Sequence, residues 1–449
     1  MSGSAAGALQ LVPPDGAERC SCGMTHRIPT ETIVVAEHAY AALAEHAGAR
    51  GWREAVAVMD ANTEEAAGEA VVRELETAGI PVARLRYAQR SGLRADHEAL
   101  AAAREALGAR PEAGVVAVGS GVITDLTRYA VQLADRGFVS VPTAASMDGY
   151  ASSVAALELE GLKVTLPARA PDAIFADPAT IAAAPAELTR AGLGDLLGKG
   201  SARTDWLAAH LLYGELYCEE VDALVLGPLR EAARRADAVL GGERNAVEGL
   251  LNGLLQSGIA MAMIGSSRPA SGCEHHASHF WDLLAGRGLR PHFPHGLQVG
   301  FATRFAIRLQ RYAFGGGLGA LGPPRAYEPL GRATREWLGE PSPSLSEAIE
   351  GKRRFLEAGA ARWPAPERWE ELRAALAPAL EVSRSVEAAL DDAIPAEPSV
   401  VGLDEAMLRA GFRYSNRLRA RYTTVDFLEG QRALEAALDV ITSERGHAG

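Results

Sequence analysis

The sequence predicts an α/β domain built on a parallel sheet, followed by an all-α domain. From residue 54 to about residue 176, short apolar runs alternate with amphipathic helical stretches. Such alternation is typical of parallel strands that are covered by helices on both faces. Beyond residue 187 the alternation stops, and helical periodicity continues to the end of the chain.

Five apolar runs bounded by turn residues are predicted as buried strands, at residues 55–59, 80–87, 114–119, 138–141 and 173–176. Helical periodicity fills the intervals, over residues 63–79, over residues 95–108 and from about Gly121 onward. These elements predict a Rossmann-like parallel sheet. Ligands of such sheets bind at the carboxyl ends of the strands, so the turns after the strands are where a site is expected.

We expect three segments: a tail over residues 1–26 that contains a Cys/His segment, an α/β domain over residues 27–184, and a helical domain over residues 185–449. Proline and glycine clusters separate the helices of the last segment. The longest apolar stretch, residues 250–265, carries Asn252 and Gln256. It is predicted as a buried helix, so no membrane span is expected.

Composition excludes several classes of partner. The chain has 449 residues, a net charge of −12 and a pI near 5.5, which argues against nucleic acid and anionic membranes as partners. Four cysteines are too few for a disulfide framework in a chain of this length. Residues 1–16 lack the basic and apolar regions of a signal peptide, so a cytoplasmic location is expected.

The turn after the third predicted strand is a candidate phosphate site. Residues 119–125 have the sequence GSGVITD, and they place Gly119 and Gly121 where a helix begins. Small residues let backbone amides approach a phosphate at the positive end of a helix, so a dinucleotide-binding turn is one interpretation. A tight strand-to-helix turn also favours glycine, and the motif alone does not decide between the two.

Hydroxyl groups and a carboxylate follow the fourth predicted strand, at Thr143, Ser146, Asp148 and Ser152. Such groups can hold ribose or substrate hydroxyls, but they also satisfy ordinary turns and helix caps. Asp60, at the end of the first predicted strand, has the same two interpretations.

A metal site is the first hypothesis for residues 271–296. His275 and His279 are four residues apart and share one helix face, and His295 follows after a loop. Imidazole is the commonest side-chain ligand for a divalent metal. Asp195, after Gly-Leu-Gly, is placed to add a carboxylate, or else to cap a helix. Taken singly, each of these residues is more often structural.

Cys20, Cys22 and His26 offer softer metal ligands in the segment CSCGMTH. Three ligands at an unusual spacing are a weak signal. We therefore favour free thiols in a surface segment that precedes the first folded element.

Five motifs in a fixed order resemble those of the sn-glycerol-1-phosphate dehydrogenases, in the superfamily of iron-containing (group III) alcohol dehydrogenases and dehydroquinate synthases. They are GSGVITD, PTAASMDGYAS, GLGDLLGK, SGCEHHASH and HGLQVG. The resemblance spans nearly all of residues 28–449 and implies a dehydroquinate synthase-like fold. Ser120 stands where the family often has glycine, and CSCGMTH is similar to a feature of bacterial relatives rather than archaeal ones.

The resemblance implies a role for each candidate residue. Asp195, His275 and His295 match the family's metal ligands, so His279 is no longer expected to bind the metal. His279 and Asp148 match residues that contact the substrate, and Asp195 is expected to contact both the substrate and the metal. The residues that match the cofactor site are Gly119, Gly121, Val122, Ile123, Thr124, Asp125, Thr143, Ser146 and Ser152, and Asp60 is added as a candidate.

The implied activity is reduction of dihydroxyacetone phosphate to sn-glycerol 1-phosphate with NAD(P)H. NAD or NADP is expected, with one divalent metal ion: zinc suits the ligands, and nickel or iron(II) would also be accepted. Basic residues in the segment from Arg84 to Arg90 favour NADP without deciding the question. The alternatives are another alcohol or polyol dehydrogenase, or a sugar-phosphate cyclase, of the same superfamily. A small phosphorylated substrate and a homo-oligomer are expected.

Lys163, Lys199 and Arg304 are candidates for the substrate phosphate by polarity and neighbourhood alone. A solvated helix face is the expected role of each.

Overall fold

The computed structural model describes residues 20–159, 162–327 and 331–443. The chain forms two compact units. The first comprises residues 1–196 and 237–266, and the second comprises residues 197–236 and 267–449. The division falls inside one long helix, α7 (Ala186–Tyr213).

The first unit is built on six parallel strands in the order β1-β8-β5-β4-β2-β3. Their bounds are β1 (Thr32–Val35), β2 (Ala55–Asp60), β3 (Val82–Tyr87), β4 (Gly114–Gly119), β5 (Val139–Pro142) and β8 (Ala173–Ala176). Strands β4, β5 and β8 are buried along their whole length, which explains their unbroken apolar sequences. The strand order reverses between β2 and β4, where α/β sheets bind ligands.

Helices cover both faces of this sheet. Two of them, α1 (Ala39–Ala49) and α3 (Glu69–Thr77), pack on one face with Leu43 and Val71 in the core. The opposite face carries α4 (His97–Gly108) and α5 (Gly121–Leu133), with Leu100 and Leu126 buried. Asp96 caps α4, because its carboxylate accepts from the Ala99 amide at 3.0 Å.

Further elements complete the first unit. An antiparallel hairpin of β6 (Val154–Leu159) and β7 (Leu162–Pro167) lies outside the main sheet. The shorter pieces are α2 (Ala61–Thr63), a π-helical stretch (Glu64–Gly68), a 3₁₀ turn (Gly149–Ala151) and α6 (Pro178–Ala182). A long helix, α10 (Arg244–Ile264), joins this unit although it lies far along the chain. Its Gly258 packs directly on the backbone of Asp148, where an added Cβ would lie 2.5 Å from the carbonyl oxygen.

The second unit is helical. Besides part of α7 it contains α8 (Glu219–Arg234), α11 (Cys273–Gly286), α12 (His295–Phe314), α13 (Arg332–Leu338), α14 (Pro343–Gly359), α15 (Trp369–Ala393), α16 (Glu405–Tyr414), α17 (Thr424–Gly430) and α18 (Leu434–Ser443). The first segment of this unit ends at Ala236, where a short helix, α9 (Ala236–Leu240), begins. The second unit also contains 3₁₀ turns at Ala360–Arg362, Pro366–Arg368, Pro398–Val401 and Ser415–Arg417. Three aromatic rings pack against one another in its core. The ring centroid of Phe301 lies 5.9 Å from that of Trp281 and 5.1 Å from that of Phe305.

The predicted fold class is confirmed: a parallel sheet with helices on both faces is followed by a helical region. The predicted strands and the helices beyond residue 187 are present within a few residues of their expected bounds. Strand β1, helix α1 and the β6–β7 hairpin were not predicted. Helix α10 is the one described helix that is long and apolar enough to cross a bilayer, and 67% of its most apolar window is buried in the protein.

Candidate active site

The glycine turn joins β4 to α5 at the reversal point of the sheet. Ser120 has a φ of −99°, so this position does not require glycine, and its side chain does not cap the helix. Gly119 is required by packing, because an added Cβ would lie 2.7 Å from the Cβ of Ile123. The first amides of α5 therefore face the strand ends without a side-chain cap, as an anion site needs.

Asp125, a predicted cofactor residue, is engaged by a buried arginine. Its carboxylate accepts from Arg128 at 2.8 Å, and Arg128 also donates to the carbonyl oxygens of Gly149 and Tyr150. Arg128 has no exposed surface, and burial lowers the pKa of its guanidinium, although Asp125 opposes the shift. This arginine fastens α5 to the segment that follows Asp148.

The other residues of the turn differ in exposure. Ile123 and Thr124 are buried, whereas Gly121 and Val122 are half-buried. The Thr124 hydroxyl has no hydrogen-bond partner among the described residues. A buried hydroxyl without a partner is uncommon in a folded protein, and a bound ligand would supply one.

The hydroxyl residues after β5 lie beside the glycine turn, because Pro142 pairs with Gly119 in register. Thr143 is buried directly after the strand. Ser146 shares a hydrogen bond of 3.1 Å with the Tyr150 hydroxyl, and Ser152 donates to the carbonyl oxygen of Val154 at 3.1 Å. Ser146 and Ser152 thus have structural partners, and a cofactor contact for these three residues stays a prediction.

Asp60 caps a helix, which was one of its two interpretations. Its Oδ1 accepts from the amides of Asn62 and Thr63 at 2.9 and 2.8 Å. A cofactor contact for Asp60 stays a prediction.

The basic residues beyond β2 have acidic partners. Arg84 and Arg86 both contact Glu64, at 3.2 and 2.5 Å, and Arg90 contacts Glu65. The segment that favours NADP by its sequence is therefore balanced by carboxylates in the fold.

Asp148 and Asp195 lie together in the first unit. The Asp148 amide donates to Oδ2 of Asp195 at 3.0 Å, and Ser257 on α10 donates to Oδ2 of Asp148 at 3.0 Å. Asp195 has no exposed surface and lies well inside α7, so the expectation that it opens or caps a helix is wrong. The glycines before it continue the helix instead, and Gly192 packs against the Ala145 backbone, where any Cβ would clash.

Three histidines gather in the second unit. The rings of His275 and His279 on α11 and of His295 at the start of α12 have centroids 5.2 to 6.4 Å apart. His275 is buried, and the other two are half-buried. His275 and His279 are one turn apart on α11, and the loop of residues 287–294 brings His295 back beside them.

Hydrogen bonds determine which nitrogen of two rings carries the proton. A carboxylate can only accept, so Nδ1 of His275 donates to Glu274 at 2.8 Å, and in the neutral ring Nε2 is the nitrogen that carries the lone pair. A guanidinium can only donate, so Nδ1 of His279 accepts from Arg419 at 3.3 Å and Nε2 of the neutral ring carries the proton. One ring is prepared as a metal ligand and the other as a proton donor.

Glu274 is held in place as an anion. It has no exposed surface and accepts from the Gly272 amide and the Ser201 hydroxyl, both at 2.6 Å. Burial raises its pKa, but the hydrogen bonds from His275, Ser201 and Gly272 outweigh that effect, and the pKa is lowered. The carboxylate therefore stays ionised opposite His275.

Two of the three predicted metal ligands, His275 and His295, lie together in the second unit, with ring centroids 5.2 Å apart. Asp195, the third predicted ligand, belongs to the first unit, and its place in the ligand set stays a prediction. One carboxylate and two imidazoles form a donor set that binds zinc, nickel or iron(II) and leaves coordination positions for a substrate oxygen. Nδ1 of His279 is engaged by Arg419.

Several residues of the site were not singled out from the sequence: Arg128, Ser257, Glu274 and Arg419. Two of them had a local signal. Glu274 is a carboxylate adjacent to a ligand histidine and can orient its ring, and Arg128 follows Asp125 at the i,i+3 spacing of a helical ion pair. Ser257 and Arg419 contact residues more than 100 positions away, and no spacing rule predicts such contacts.

The Cys/His segment is anchored to the first unit. Cys22 Sγ lies 3.3 Å from Nε2 of His26, and Nδ1 of His26 lies 3.0 Å from the carbonyl oxygen of Met263 at the end of α10. Cys20 and Cys22 form no disulfide, and their role stays a prediction. The segment is nevertheless packed against the fold rather than simply preceding it.

Comparisons with known proteins agree with this architecture. Residues 34–185 match the family model described as iron-containing alcohol dehydrogenase. The chain is similar to two curated proteins named glycerol-1-phosphate dehydrogenase [NAD(P)+]. One, from Halalkalibacterium halodurans, is 35% identical over 66% of this chain and 74% of its own length. The other, from Geobacillus stearothermophilus, is 30% identical over 92% of this chain and 96% of its own length.

Among solved structures, an iron-containing alcohol dehydrogenase from Thermococcus thioreducens superposes with a TM-score of 0.61. The match is 13% identical and covers 92% of this chain and 99% of that one. At that identity the likeness concerns the fold alone.

Proposed function

The chain belongs to the glycerol-1-phosphate dehydrogenase family, among the iron-containing alcohol dehydrogenases, and is an NAD(P)-dependent oxidoreductase; on this premise we propose that it reversibly reduces dihydroxyacetone phosphate to sn-glycerol 1-phosphate. The observation that carries the proposal is the group of three histidines in the second unit, in which the rings of His275 and His295 lie 5.2 Å apart and the protonated nitrogen of His279 is assigned by its contact with Arg419.

Asp195, His275 and His295 would hold one divalent ion. The chemistry of the donors fits: Nδ1 of His275 donates to Glu274, so Nε2 is the nitrogen that would bind an ion, and the Asp195 carboxylate is oriented by the Asp148 amide through Oδ2. When bound, such an ion supplies Lewis-acid polarisation of the substrate carbonyl. Zinc suits this donor set, and nickel and iron(II) remain compatible with it.

His279 would give the proton that completes reduction. Its Nδ1 accepts from Arg419, so its Nε2–H is the donor available to the developing alcohol oxygen. In the oxidative direction the same nitrogen would take the proton back. A half-buried ring can exchange that proton with solvent.

Asp148 would orient the substrate hydroxyl. Ser257 donates to one carboxylate oxygen of Asp148, and the backbone amide of Asp148 donates to Asp195, so the two carboxylates are linked by direct hydrogen bonds. Small errors in such positions cost large factors in rate.

The cofactor would lie on the glycine turn. The uncapped amides at the start of α5 suit its pyrophosphate, and the Thr124 hydroxyl is a further donor without a partner among the described residues. When bound, the nicotinamide supplies the hydride. Residues 119–125 together with Thr143, Ser146, Ser152 and Asp60 are the proposed cofactor residues.

The test is a substrate and cofactor panel on metal-loaded protein. We expect steady oxidation of NADH or NADPH with dihydroxyacetone phosphate, and a product that is sn-glycerol 1-phosphate rather than its enantiomer. Turnover only with unphosphorylated ketones would assign another dehydrogenase activity. A product formed without net change in the nicotinamide would assign a cyclase.

A further inference from the structure

A group of cationic side chains surrounds His276 in the second unit. The charges of Lys352, Arg421, Arg419 and Arg268 all act on its ring, so the four cations share one neighbourhood. His276 is 1% exposed, and neither ring nitrogen has a hydrogen-bond partner among the described residues. Buried imidazoles without hydrogen-bond partners are rare, and a bound ligand would supply one.

Two of these cations are balanced by carboxylates. Lys352 binds both oxygens of Asp426, at 2.8 and 3.0 Å, and Arg268 binds Glu215 at 2.5 Å. Their charges are therefore used in holding the helical unit together.

Arg421 differs from them. It makes no hydrogen bond or ion pair with any residue that the structure describes, yet its side chain keeps only partial exposure. Burial, together with the charges of Arg268 and Arg419, lowers its pKa to about 9 against the opposing effect of Glu215 and Glu274. Since a guanidinium keeps its proton in proteins, Arg421 is a poorly solvated cation that a bound anion would stabilise.

The position next to the histidines identifies the anion. Arg419, two residues from Arg421, contacts His279 at 3.3 Å, and the ring of His279 lies 5.4 Å from that of His295. Because Arg421 is near Arg419, an anion bound by Arg421 would lie near His279, the proposed proton donor to the carbonyl that is reduced. A phosphomonoester has three oxygens to share between planar guanidinium groups and an imidazole N–H.

We propose that Arg421 binds the phosphate group of the substrate, with Arg419 and His276 beside it. This inference rests on the proposed function. Arg421 replaces Lys163, Lys199 and Arg304 as the candidate residue for the substrate phosphate. Arg304 is buried and held by Asp391 and two carbonyl oxygens, and Lys199 has no exposed surface, so neither lies on a solvated helix face. The side chain of Lys163 lies outside the described residues.

The test separates phosphate recognition from the rest of catalysis. Arg421→Met removes the charge at similar volume, Arg421→Lys restores it, and Arg413→Met is the matched control, since Arg413 is exposed and pairs with Glu435. Steady-state kinetics are measured with dihydroxyacetone phosphate and with dihydroxyacetone, and with NADH and NADPH.

We expect Arg421→Met to raise the KM for dihydroxyacetone phosphate about tenfold to a hundredfold, the range typical of a hydrogen bond to a charged group. The kcat/KM for dihydroxyacetone and the KM for either nicotinamide should change little. Arg421→Lys should recover part of the loss, and Arg413→Met should behave as wild type. In the wild type, inorganic phosphate should compete with dihydroxyacetone phosphate.

The possible failures are distinct. A wild type that does not reduce dihydroxyacetone phosphate contradicts the proposed function. If it does reduce it, an unchanged KM in Arg421→Met, or an equal loss with both ketones, overturns the phosphate assignment. If Arg421→Met does not fold, the Arg421→Lys variant and the phosphate competition test the assignment instead. A wild-type KM for dihydroxyacetone phosphate in Arg421→Lys, together with no competition by inorganic phosphate, would refute the phosphate assignment.

Discussion

Replacing Glu274 with glutamine tests whether this carboxylate prepares His275 for the metal. The substitution keeps the shape but removes the charge. The amide oxygen can still accept from Gly272 and His275. The Ser201 hydroxyl can accept from the new amide nitrogen, because its own proton can be donated to the Gly198 carbonyl oxygen, 3.1 Å away. The fold should therefore survive, while the hydrogen bond to His275 loses its ionic partner.

The expected loss follows from that one bond. Removing an outer partner of a metal-ligating histidine typically costs tenfold to a hundredfold in metal affinity, or about 1.4 to 2.8 kcal/mol. Affinity is measured by competition with a chromophoric chelator, and the absorption spectrum of cobalt(II) reports the ligand geometry. Glu381→Gln is the control, since the same change there removes only an exposed pair with Arg384. Wild-type affinity and an unchanged cobalt spectrum in Glu274→Gln would refute the assignment.

Three further predictions concern other parts of the site. Removing metal with a chelator should abolish reduction of dihydroxyacetone phosphate, and adding a divalent ion should restore it; turnover that persists after verified metal removal would exclude the mechanism. Ser257→Ala removes the 3.0 Å hydrogen bond to Asp148 and should lower kcat about two- to tenfold with little change in Tm, as expected for one hydrogen bond; an unaltered kcat would mean that Asp148 needs no such support. Gly119→Ala forces a Cβ against Ile123 and should raise the KM for the nicotinamide at least tenfold, an order of magnitude typical of a disturbed positioning residue. Gly108→Ala, where an added Cβ meets nothing within 4 Å, should have no effect on that KM.

The sheet could be predicted from the sequence because its strands are buried on both faces. Runs such as residues 114–119 are continuously apolar, and parallel strands of this kind have a strong local signal. Strand β1 is only four residues long and lies at the sheet edge, so its pattern is weak. The β6–β7 hairpin mixes charged residues with apolar ones and has no distinctive turn pair.

The site was less predictable, because its contacts join distant parts of the chain. Ser257 is 109 residues from Asp148, and Arg419 is 140 residues from His279. Motif resemblance supplied the candidates, but it did not supply the partners that fix their protonation. The cap geometry of Asp195 was misjudged because glycines before a carboxylate usually mark a helix start, whereas here Gly192 lets α7 approach Ala145.

The acidic partners of Arg84, Arg86 and Arg90 have an evolutionary consequence. Glu64 and Glu65 neutralise the positive charges of Arg84, Arg86 and Arg90. These ion pairs lie near the surface and contribute only about 0 to 1 kcal/mol each to stability. Losing the single carboxylate of Glu64 would unmask two guanidinium groups at little cost to folding. If the cofactor binds as proposed, losing this one negative charge should raise the affinity for the 2′-phosphate of NADP without any positive charge being gained.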